Sequence, residues 1–343
     1  MKIKCLVWDL DDTLWEGTLR EDRDVVFDKV KKSIIKKIDE RGILQSIASR
    51  NDLQQAQEKL KELEILEYFF YPQCHWGSKV ESIKLIANKL NIALDSIGYI
   101  DDNPFELFEV QYFLPEVKTY KSEEYEELLN LEEFKSDFST KESKMRRQMM
   151  KSREMRERAE SFHNGSKEDF LKACKMELIL RSANTNDIYR IYELASRTNQ
   201  MNNMLDRISK EVIVDFIDSK DKAIYVAELS DRFGYHGIIG VCLFEMKDKI
   251  SFIKLFCISC RIEGRGIGAA FLKEAISLMS KKHSQIEEVY CEYLDEKKNR
   301  PALMLLQITG FKFFKKNEKK STFNLKLPVE ESSLNWLKVI FML

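Results

Sequence analysis

An apolar run near the start of the chain ends in a cluster of acidic residues, and no other feature constrains the fold as strongly. Residues 3–8, IKCLVW, are typical of a buried strand, and Asp9, Asp11 and Asp12 follow closely. In parallel sheets covered by helices on both faces, ligands bind at the carboxyl ends of the strands. The run therefore predicts such a sheet, with a polar site at the end of its first strand.

The rest of the first half alternates helices and strands. Its apolar spacing predicts helices at residues 25–40, 54–63 and 78–90 and short strands at residues 42–48 and 97–100. Strands separated by helices of this length form right-handed crossovers, which place the strands parallel to one another. The first half is therefore predicted to be an α/β domain.

A densely charged segment separates this pattern from a second one. Residues 141–160 predict one long exposed helix, and we place a helical connector at residues 139–173, between domains at 1–138 and 174–343. The second domain is predicted to have a mixed α+β fold. Its expected strands lie at residues 177–181, 223–229, 237–245, 250–259, 289–293 and 321–327, and its expected helices at 187–198, after 266 and at 301–308.

Charge and cysteine content narrow the class of protein. The 56 lysines and arginines nearly balance the 57 aspartates and glutamates, so nothing calls for a nucleic acid or a membrane surface as partner. Seven scattered cysteines and a start without a signal-peptide pattern predict free thiols in a cytoplasmic protein. The apolar run at 339–343 is too short to span a bilayer and predicts a terminal strand.

Four aspartates carry the chemistry expected of the first domain. Asp9 and Asp11, two residues apart at a strand end, can converge on one centre: the first can attack a phosphoryl group, and the second can protonate the leaving oxygen and then activate water. Like charges this close need a cation, and oxygen ligands select Mg²⁺. Asp101 and Asp102 follow the strand at 97–100 and could complete the metal site.

Polar residues after the second strand and at a helix start suit a phosphate. Ser49, Arg50 and Asn51 offer a hydroxyl and amides to phosphate oxygens, and Lys79 would offset charge on the aspartates and the phosphoryl group. Acidic strand ends are also common surface turns. Because all these groups occur in the right order beside the expected strands and helices, we favour a phosphoryl-transfer site over a set of surface turns.

The order of these motifs resembles that of the haloacid-dehalogenase superfamily. The resemblance implies a Rossmannoid parallel sheet in which Asp9 is nucleophile and Mg²⁺ ligand. It implies that Asp11 is the general acid/base and binds the metal through its carbonyl, that Ser49 and Lys79 hold phosphate, and that Asp101 ligates the metal with Asp102 beside it. The gaps between the motifs leave no room for a large cap. An open site suits a bulky or protein-borne substrate, or a small metabolite if the neighbouring domain covers the mouth.

A glycine-rich loop marks the second domain. It follows a long apolar strand and precedes a helix, where backbone amides can approach a pyrophosphate. The context resembles the acyl-CoA loop of the GNAT acyltransferases, although a lone loop of this kind is often an ordinary turn. The resemblance implies that CoA or phosphopantetheine is bound by Arg261, Gly264, Arg265, Gly266, Gly268 and Asn299.

The catalytic groups of amine acetylation are not evident. GNAT enzymes often use a carboxylate near the central strand and a tyrosine in the last helix. Residues 251–258 contain no carboxylate, and Leu306 occupies the tyrosine position. The sequence therefore favours binding of a pantetheine arm over acetylation of an amine.

Together the two halves resemble the FkbH-like proteins, which join a capless dehalogenase-type domain to a GNAT-like region. The resemblance extends from Lys2 to about Leu327. It is carried by residues 8–17 (WDLDDTLWEG), 71–73 (YPQ), 75–76 (HW), 100–104 (IDDNP), 197–202 (RTNQMN) and 259–261 (SCR).

This resemblance implies an enzyme of polyketide or nonribosomal-peptide assembly. Such an enzyme takes a three-carbon acyl phosphate, typically 1,3-bisphosphoglycerate, dephosphorylates it and loads the acyl unit as a thioester on an acyl carrier protein. Such a reaction is expected to pass the acyl group through a cysteine. Relatives often carry a cysteine where this chain has Ala48, so the candidates here are Cys260 first and Cys74 second. Each cysteine could instead be a buried core residue, and residues 197–202 either line the acyl pocket or cap a helix.

Two other functions remain open at this point. One is a phosphatase fused to an N-acetyltransferase that modifies a sugar or an amine. The other is a non-catalytic module that docks a carrier protein, against which the complete set of acidic, hydroxyl and amine groups argues.

Overall fold

The computed structural model describes residues 2–21, 25–135, 145–204, 208–262, 264–330 and 334–342. Within them the chain divides into two compact units, Met1–Lys151 and Ser152–Leu343. The predicted domain boundaries and connector stay predictions, and residues 139–144 lie outside the described part. No helix of the described segments is both long and apolar enough to cross a membrane.

The first unit is built on a five-stranded parallel sheet, which confirms the predicted α/β fold. The strand order is β3-β2-β1-β4-β5. Between Asp11 and Lys79 the described residues form no separate cap domain. The elements are β1 (Cys5–Trp8), α1 (Lys29–Glu40), β2 (Leu44–Ser49), α2 (Leu53–Glu62), β3 (Gln73–Cys74), α3 (Lys79–Leu90), β4 (Ile97–Asp101), α4 (Pro104–Phe113) and β5 (Lys118–Lys121).

Strand β1 is buried on both faces, which explains its apolar sequence. Leu6 and Trp8 pack in one core with residues of α1 and α2, whereas Cys5 and Val7 pack in another with residues of α3 and α4. Such a strand carries no polar alternation, because neither face meets solvent. Its carboxyl end is therefore where polar side chains can emerge.

Two capped helices begin beside that end of the sheet. The Ser78 hydroxyl accepts a hydrogen bond from the Val80 amide (3.1 Å), so Lys79 is the first residue of α3. Asn103 caps α4 in the same way, by accepting from the Phe105 amide (3.0 Å). Caps of this kind fix where a helix begins. They place Lys79 and the residues after β4 at one edge of the sheet.

The charged segment after the first sheet forms a helix with a buried side. Helix α5 (Arg146–Ser161) buries Met149 and Met150 in the first unit. In the second unit its Arg156 is buried beside Asp231 and His236. The prediction of one exposed helix is therefore wrong for this side of α5. In the sequence, the many charged residues obscure the few apolar positions. Arg156 can be buried because it is paired with Asp231.

The second unit contains one mixed sheet of eight strands, and this confirms the predicted α+β fold. The strand order is β11-β12-β10-β9-β8-β7-β6-β13. The helix Lys210–Asp218 and the strand Lys312–Asn317 were not expected from the sequence, whereas the terminal strand Leu337–Met342 was. The elements are α6 (Lys167–Ala173), β6 (Met176–Ser182), α7 (Ile188–Arg197), α8 (Lys210–Asp218), β7 (Lys222–Asp231), β8 (Gly234–Lys247), β9 (Ile250–Ile258), α9 (Ile267–Lys282), β10 (Glu288–Leu294), α10 (Arg300–Thr309), β11 (Lys312–Asn317), β12 (Lys320–Lys326) and β13 (Leu337–Met342).

Candidate active site

Asp9, Lys79 and Asp101 form one buried cluster at the carboxyl edge of the parallel sheet. Strands β1 and β4 are neighbours, and the Asp9 amide donates to the Ile100 carbonyl (3.0 Å), so the two aspartates leave the sheet side by side. Lys79 Nζ lies 2.9 Å from Asp9 Oδ1 and 2.5 Å from Asp101 Oδ2. The structure therefore brings together three residues that lie far apart in the sequence.

Burial dominates the electrostatics of this cluster. It raises the pKa of Asp9, and Asp101 adds to the rise, whereas Lys79 and Ser49 oppose it. Burial alone would lower the pKa of Lys79, but the two aspartates raise it above its usual value. Lys79 therefore stays protonated. One ammonium cannot balance two buried carboxylates and the more exposed carboxylate of Asp102 beside them, so the cluster favours a further cation.

The oxygens of three aspartates are close enough to hold that cation. Asp9, Asp101 and Asp102 each offer a carboxylate oxygen, and these oxygens all lie within 4.8 Å of one another. A set of hard oxygen donors fits Mg²⁺. The predicted ligands Asp9, Asp101 and Asp102 are thus brought together.

The two aspartates after β4 are bound differently. Asp101 is fully buried; its Oδ2 accepts from Lys79 and the Tyr99 hydroxyl, and its Oδ1 accepts from the Asn103 amide (2.8 Å). Asp102 is more exposed and is oriented by Thr13, whose hydroxyl donates to Asp102 Oδ1 (3.2 Å). Asp101 therefore mainly anchors Lys79, whereas Asp102 is more accessible to an ion.

Asp11 is held by a set of donors that the sequence analysis missed. Its Oδ1 accepts from the Trp15 indole (2.9 Å) and the Leu19 amide (3.1 Å), and its Oδ2 accepts from the Asn51 side chain (2.9 Å). These bonds fix the carboxylate at the site. Its predicted contact with a metal through the carbonyl oxygen stays a prediction.

Ser49, the last residue of β2, and the two residues after it have different partners. Ser49 and Asn51 are buried and bonded to each other, with Asn51 Nδ2 3.2 Å from Ser49 Oγ. Arg50 instead forms an ion pair with Glu106 of α4, at 2.7 Å. Neither Glu106 nor Tyr99 was expected at the site. The available signal for Glu106 was an acidic residue in the first turn of the helix that follows Asp101 and Asp102.

The cysteines differ in exposure. Cys260 lies in a short turn of the second unit and is partly exposed, whereas the other six cysteines are buried. Burial raises the pKa of Cys74 to about 12, and Asp9 adds to the rise. Cys74 therefore stays a thiol at neutral pH, which argues against its predicted role as a second relay.

The glycine-rich loop has the backbone that its glycines permit. Gly264 and Gly266 have φ angles of 79° and 75°, and Gly266 caps α9. Gly268 lies in the first turn, where a Cβ would meet a Leu305 methyl at 3.0 Å. The Arg261 side chain donates to the Ser259 hydroxyl (3.1 Å). These contacts shape the loop and leave its role in binding a prediction.

The side chain of Arg265 turns into the protein. Burial lowers its pKa to about 10, and the neighbouring Arg156 contributes to the lowering. Its Nη1 is buried without a hydrogen-bond partner among the described residues. The structure thus does not place this guanidinium on an exposed surface.

A segment of the chain fills the gap between β9 and β10. These strands pair only along their first halves. Beyond that, the amide of Ile258 donates to the Met201 carbonyl (2.9 Å), and the amide of Asn203 donates to the Phe256 carbonyl (3.1 Å). The amide of Leu294 donates to the Asn203 carbonyl (2.9 Å). This segment therefore occupies the space between the unpaired ends of the two strands.

The predicted ligand residue Asn299 closes the same gap. Asn299 is fully buried. Its side-chain Nδ2 donates to the Leu294 carbonyl (2.8 Å), and its side-chain Oδ1 accepts from the Tyr293 hydroxyl (2.9 Å). Asn202 donates to the Thr198 carbonyl (3.3 Å), as expected if residues 197–202 cap a helix. Leu306 is buried in the core, so no proton donor occupies that position.

No family model matches the sequence, and no curated protein does. One similar solved structure is the N-terminal part of BF1531 from Bacteroides fragilis, containing a phosphatase domain complexed with Mg. Identity is 28%, the TM-score is 0.37, and the match covers 39% of this chain and 41% of that chain, less than half its length.

Other similar structures are acetyltransferases. The ribosomal-protein-S18-alanine N-acetyltransferase from Escherichia coli is 13% identical, with a TM-score of 0.34 and coverage of 46% of this chain and 97% of that chain. An acetyltransferase of the GNAT family from Streptococcus pneumoniae is 17% identical, with a TM-score of 0.35 and coverage of 44% and 99%.

Proposed function

We propose that the first unit is a Mg²⁺-dependent phosphoryl-transfer domain with Asp9 as nucleophile. The observation that carries this proposal is the buried cluster of Asp9, Lys79 and Asp101, with an oxygen of Asp102 close enough to share a cation. An ion pair that served only stability would not need two buried carboxylates around one ammonium, since burying unpaired charge is costly. Perturbed carboxylates at a strand end are typical of a reaction site.

The residues around Asp9 divide the reaction between them. An oxygen of Asp9 attacks phosphorus, the bond from phosphorus to the leaving oxygen breaks, and Asp11 donates a proton to that oxygen. Asp11 then takes a proton from the water that attacks the aspartyl-phosphate, which releases phosphate and restores Asp9. Lys79 stabilises the negative charge that develops on the phosphoryl oxygens. Bound Mg²⁺ would neutralise charge on the aspartates and the phosphate.

We further propose that the substrate is a three-carbon acyl phosphate, such as 1,3-bisphosphoglycerate, and that the acyl unit is loaded on an acyl carrier protein. The resemblance to the FkbH-like proteins supports this substrate and partner. The partial exposure of Cys260 supports a relay at that residue. Its thiolate would attack the acyl carbon and the 1-phosphate would leave. Asp9 would act on the 3-phosphate ester, because attack on the phosphorus of the acyl phosphate would release an unactivated carboxylate. The thiol of the carrier's phosphopantetheine would then take the acyl group and release the Cys260 thiolate.

Intact-protein mass spectrometry tests the whole proposal. The protein is incubated with a carrier protein, Mg²⁺ and a glycolytic system that generates 1,3-bisphosphoglycerate. We expect a glyceryl adduct on the protein or the carrier, which Cys260→Ser removes from the protein. Absence of a glyceryl mass on both proteins would rule out the glycerate substrate, whereas Mg²⁺-dependent hydrolysis of an aryl phosphate would still support the phosphoryl-transfer site.

A further inference from the structure

Arg50 and Glu106 join the loops on either side of the one that carries Asp9. Arg50 follows β2, and Glu106 lies in the first turn of α4, directly after β4. Strands β2 and β4 flank β1 in the sheet. Arg50 Nη2 lies 2.7 Å from Glu106 Oε1. The ion pair therefore lies beside the candidate active site.

The two members of the pair differ in burial. The Glu106 side chain is 5% exposed, whereas the Arg50 side chain is 47% exposed. Glu106 Oε2 is buried and accepts no hydrogen bond from the described residues. A buried carboxylate with one partner costs stability, because its lost hydration is incompletely replaced. Such a group does little for folding, but it holds a half-exposed guanidinium in one place.

Other residues near Arg50 are expected to bind the transferred phosphoryl group, so its guanidinium can bind a different part of the substrate. Lys79, Ser49 and Asn51 are buried, and they are the residues expected to hold the transferred phosphoryl group. A guanidinium has five N–H groups in a planar fork that matches a carboxylate or a phosphate, and the ion pair with Glu106 is made through Nη2. The exposed part of Arg50 can therefore receive a second anion.

We propose that Glu106 positions Arg50 to bind a second anionic group of the substrate, one that is not transferred. The substrate class is then a phosphate compound that also carries a carboxylate or a second phosphate. This inference rests on the proposed function, because it requires a phosphate at Asp9. Arg50 is the binding residue, and Glu106 acts through it.

A matched pair of three-carbon phosphates tests the inference. 3-Phosphoglycerate carries a carboxylate where glycerol 3-phosphate carries a hydroxymethyl group. With Mg²⁺ present, we measure kcat/KM for phosphate release, or Kd by isothermal titration where a compound is not hydrolysed. We expect the wild type to prefer 3-phosphoglycerate by about tenfold or more, the effect of one charge-assisted contact. Arg50→Met should bring the ratio of the two values close to one.

Lys84→Met is the matched control. Lys84 is 45% exposed and pairs with Glu81 on the surface of α3, so this variant also removes a half-exposed cation from an ion pair. We expect it to retain the wild-type ratio. The inference is overturned if the wild type has no preference, if it binds neither compound, or if Arg50→Met weakens both equally. Hydrolysis of p-nitrophenyl phosphate reports separately on the proposed function.

Two variants test the role of Glu106. Glu106→Gln keeps an oxygen that can accept from Arg50, and we expect it to retain the preference. Glu106→Ala frees the guanidinium, so the preference should fall toward that of Arg50→Met, mainly through KM. A purely structural pair would instead lower thermal stability in both variants and leave the ratio unchanged, and that result would overturn the positioning role.

Discussion

The ammonium of Lys79 lies 2.9 Å from a carboxylate oxygen of Asp9, and both groups are buried. The same ammonium contacts Asp101 at the end of the neighbouring strand. Because α3 begins at Lys79, the cap that starts this helix also sets the position of the charge. One lysine thus links the ends of β1 and β4.

Removal of this lysine should damage both activity and stability. Lys79→Met removes the charge that faces the phosphoryl group, and we expect phosphate release to fall by at least about a hundredfold. It also leaves buried carboxylates unpaired, which should lower the free energy of unfolding by about 3–5 kcal/mol without metal. Phosphate assays and chemical denaturation measure these effects, with Lys84→Met as control. Wild-type values for Lys79→Met would contradict the site.

Metal binding should depend on Asp102 and not on Asp12, an exposed aspartate near the end of β1. Chelation should stop phosphate release, and Mg²⁺ should restore it. Because a ligand that binds only the folded state stabilises it, Mg²⁺ at a hundredfold its Kd should add about 2.7 kcal/mol of stability. Asp102→Asn should weaken this effect. Asp12→Asn, in an exposed residue that accepts from the Gly17 amide, should not. Equal effects of both substitutions would refute the assignment.

Acid should weaken the second unit partly through His236. Burial lowers the pKa of His236 below its ordinary value of 6.5, and Arg156 contributes, whereas Asp231 opposes the shift. The unfolded chain therefore binds a proton at a higher pH than the folded chain. The stability contributed by the neutral ring is complete above pH 6.5 and is lost as the pH falls toward the lowered pKa.

Denaturation of the full chain across this range tests the assignment. We expect the free energy of unfolding to fall less steeply with acid in His236→Gln than in the wild type, since glutamine does not titrate. Parallel curves for the two proteins would contradict the prediction.

Asn203 should be essential to the second sheet. Its side chain accepts from the Phe256 amide (2.6 Å) and donates to the Glu292 carbonyl (2.8 Å), and it is fully buried. Asn203→Ala leaves these groups unpaired, at a cost of about 1–3 kcal/mol each. Asn186→Ala, at an exposed position, is the control. Equal thermal stability of the two variants would show that the gap between β9 and β10 does not need this segment.

Much of the fold follows from local sequence. The apolar run of β1 and the helices of the first half predict a parallel sheet, and the strand ends predict where Asp9 and Asp101 meet. The first prediction depends on apolar periodicity, and the second depends on the rule that ligands bind at the carboxyl ends of parallel strands. The buried side of α5 could not be predicted, because its few apolar residues are interspersed with many charges.

The missed contacts join residues that are distant in sequence. Glu106 meets Arg50, and Asn203 meets β9 and β10, through tertiary packing that leaves no local pattern. A single sequence shows that Glu106 is acidic and lies near a helix start, but not that it is buried. The same limit applies to Arg265, which the resemblance to GNAT enzymes gives as a CoA or phosphopantetheine ligand, because nothing in the local sequence shows that its guanidinium is buried.

Chemical trapping of the aspartyl-phosphate tests the role of Asp9 most directly. The protein is quenched during turnover of 1,3-bisphosphoglycerate and reduced with borohydride, which converts an aspartyl-phosphate to homoserine, and peptides are then mapped by mass spectrometry. We predict homoserine at position 9 with Mg²⁺, and none without Mg²⁺ or in Asp9→Asn. Phosphate release without reduction at position 9, or homoserine at position 11 instead, would contradict the account.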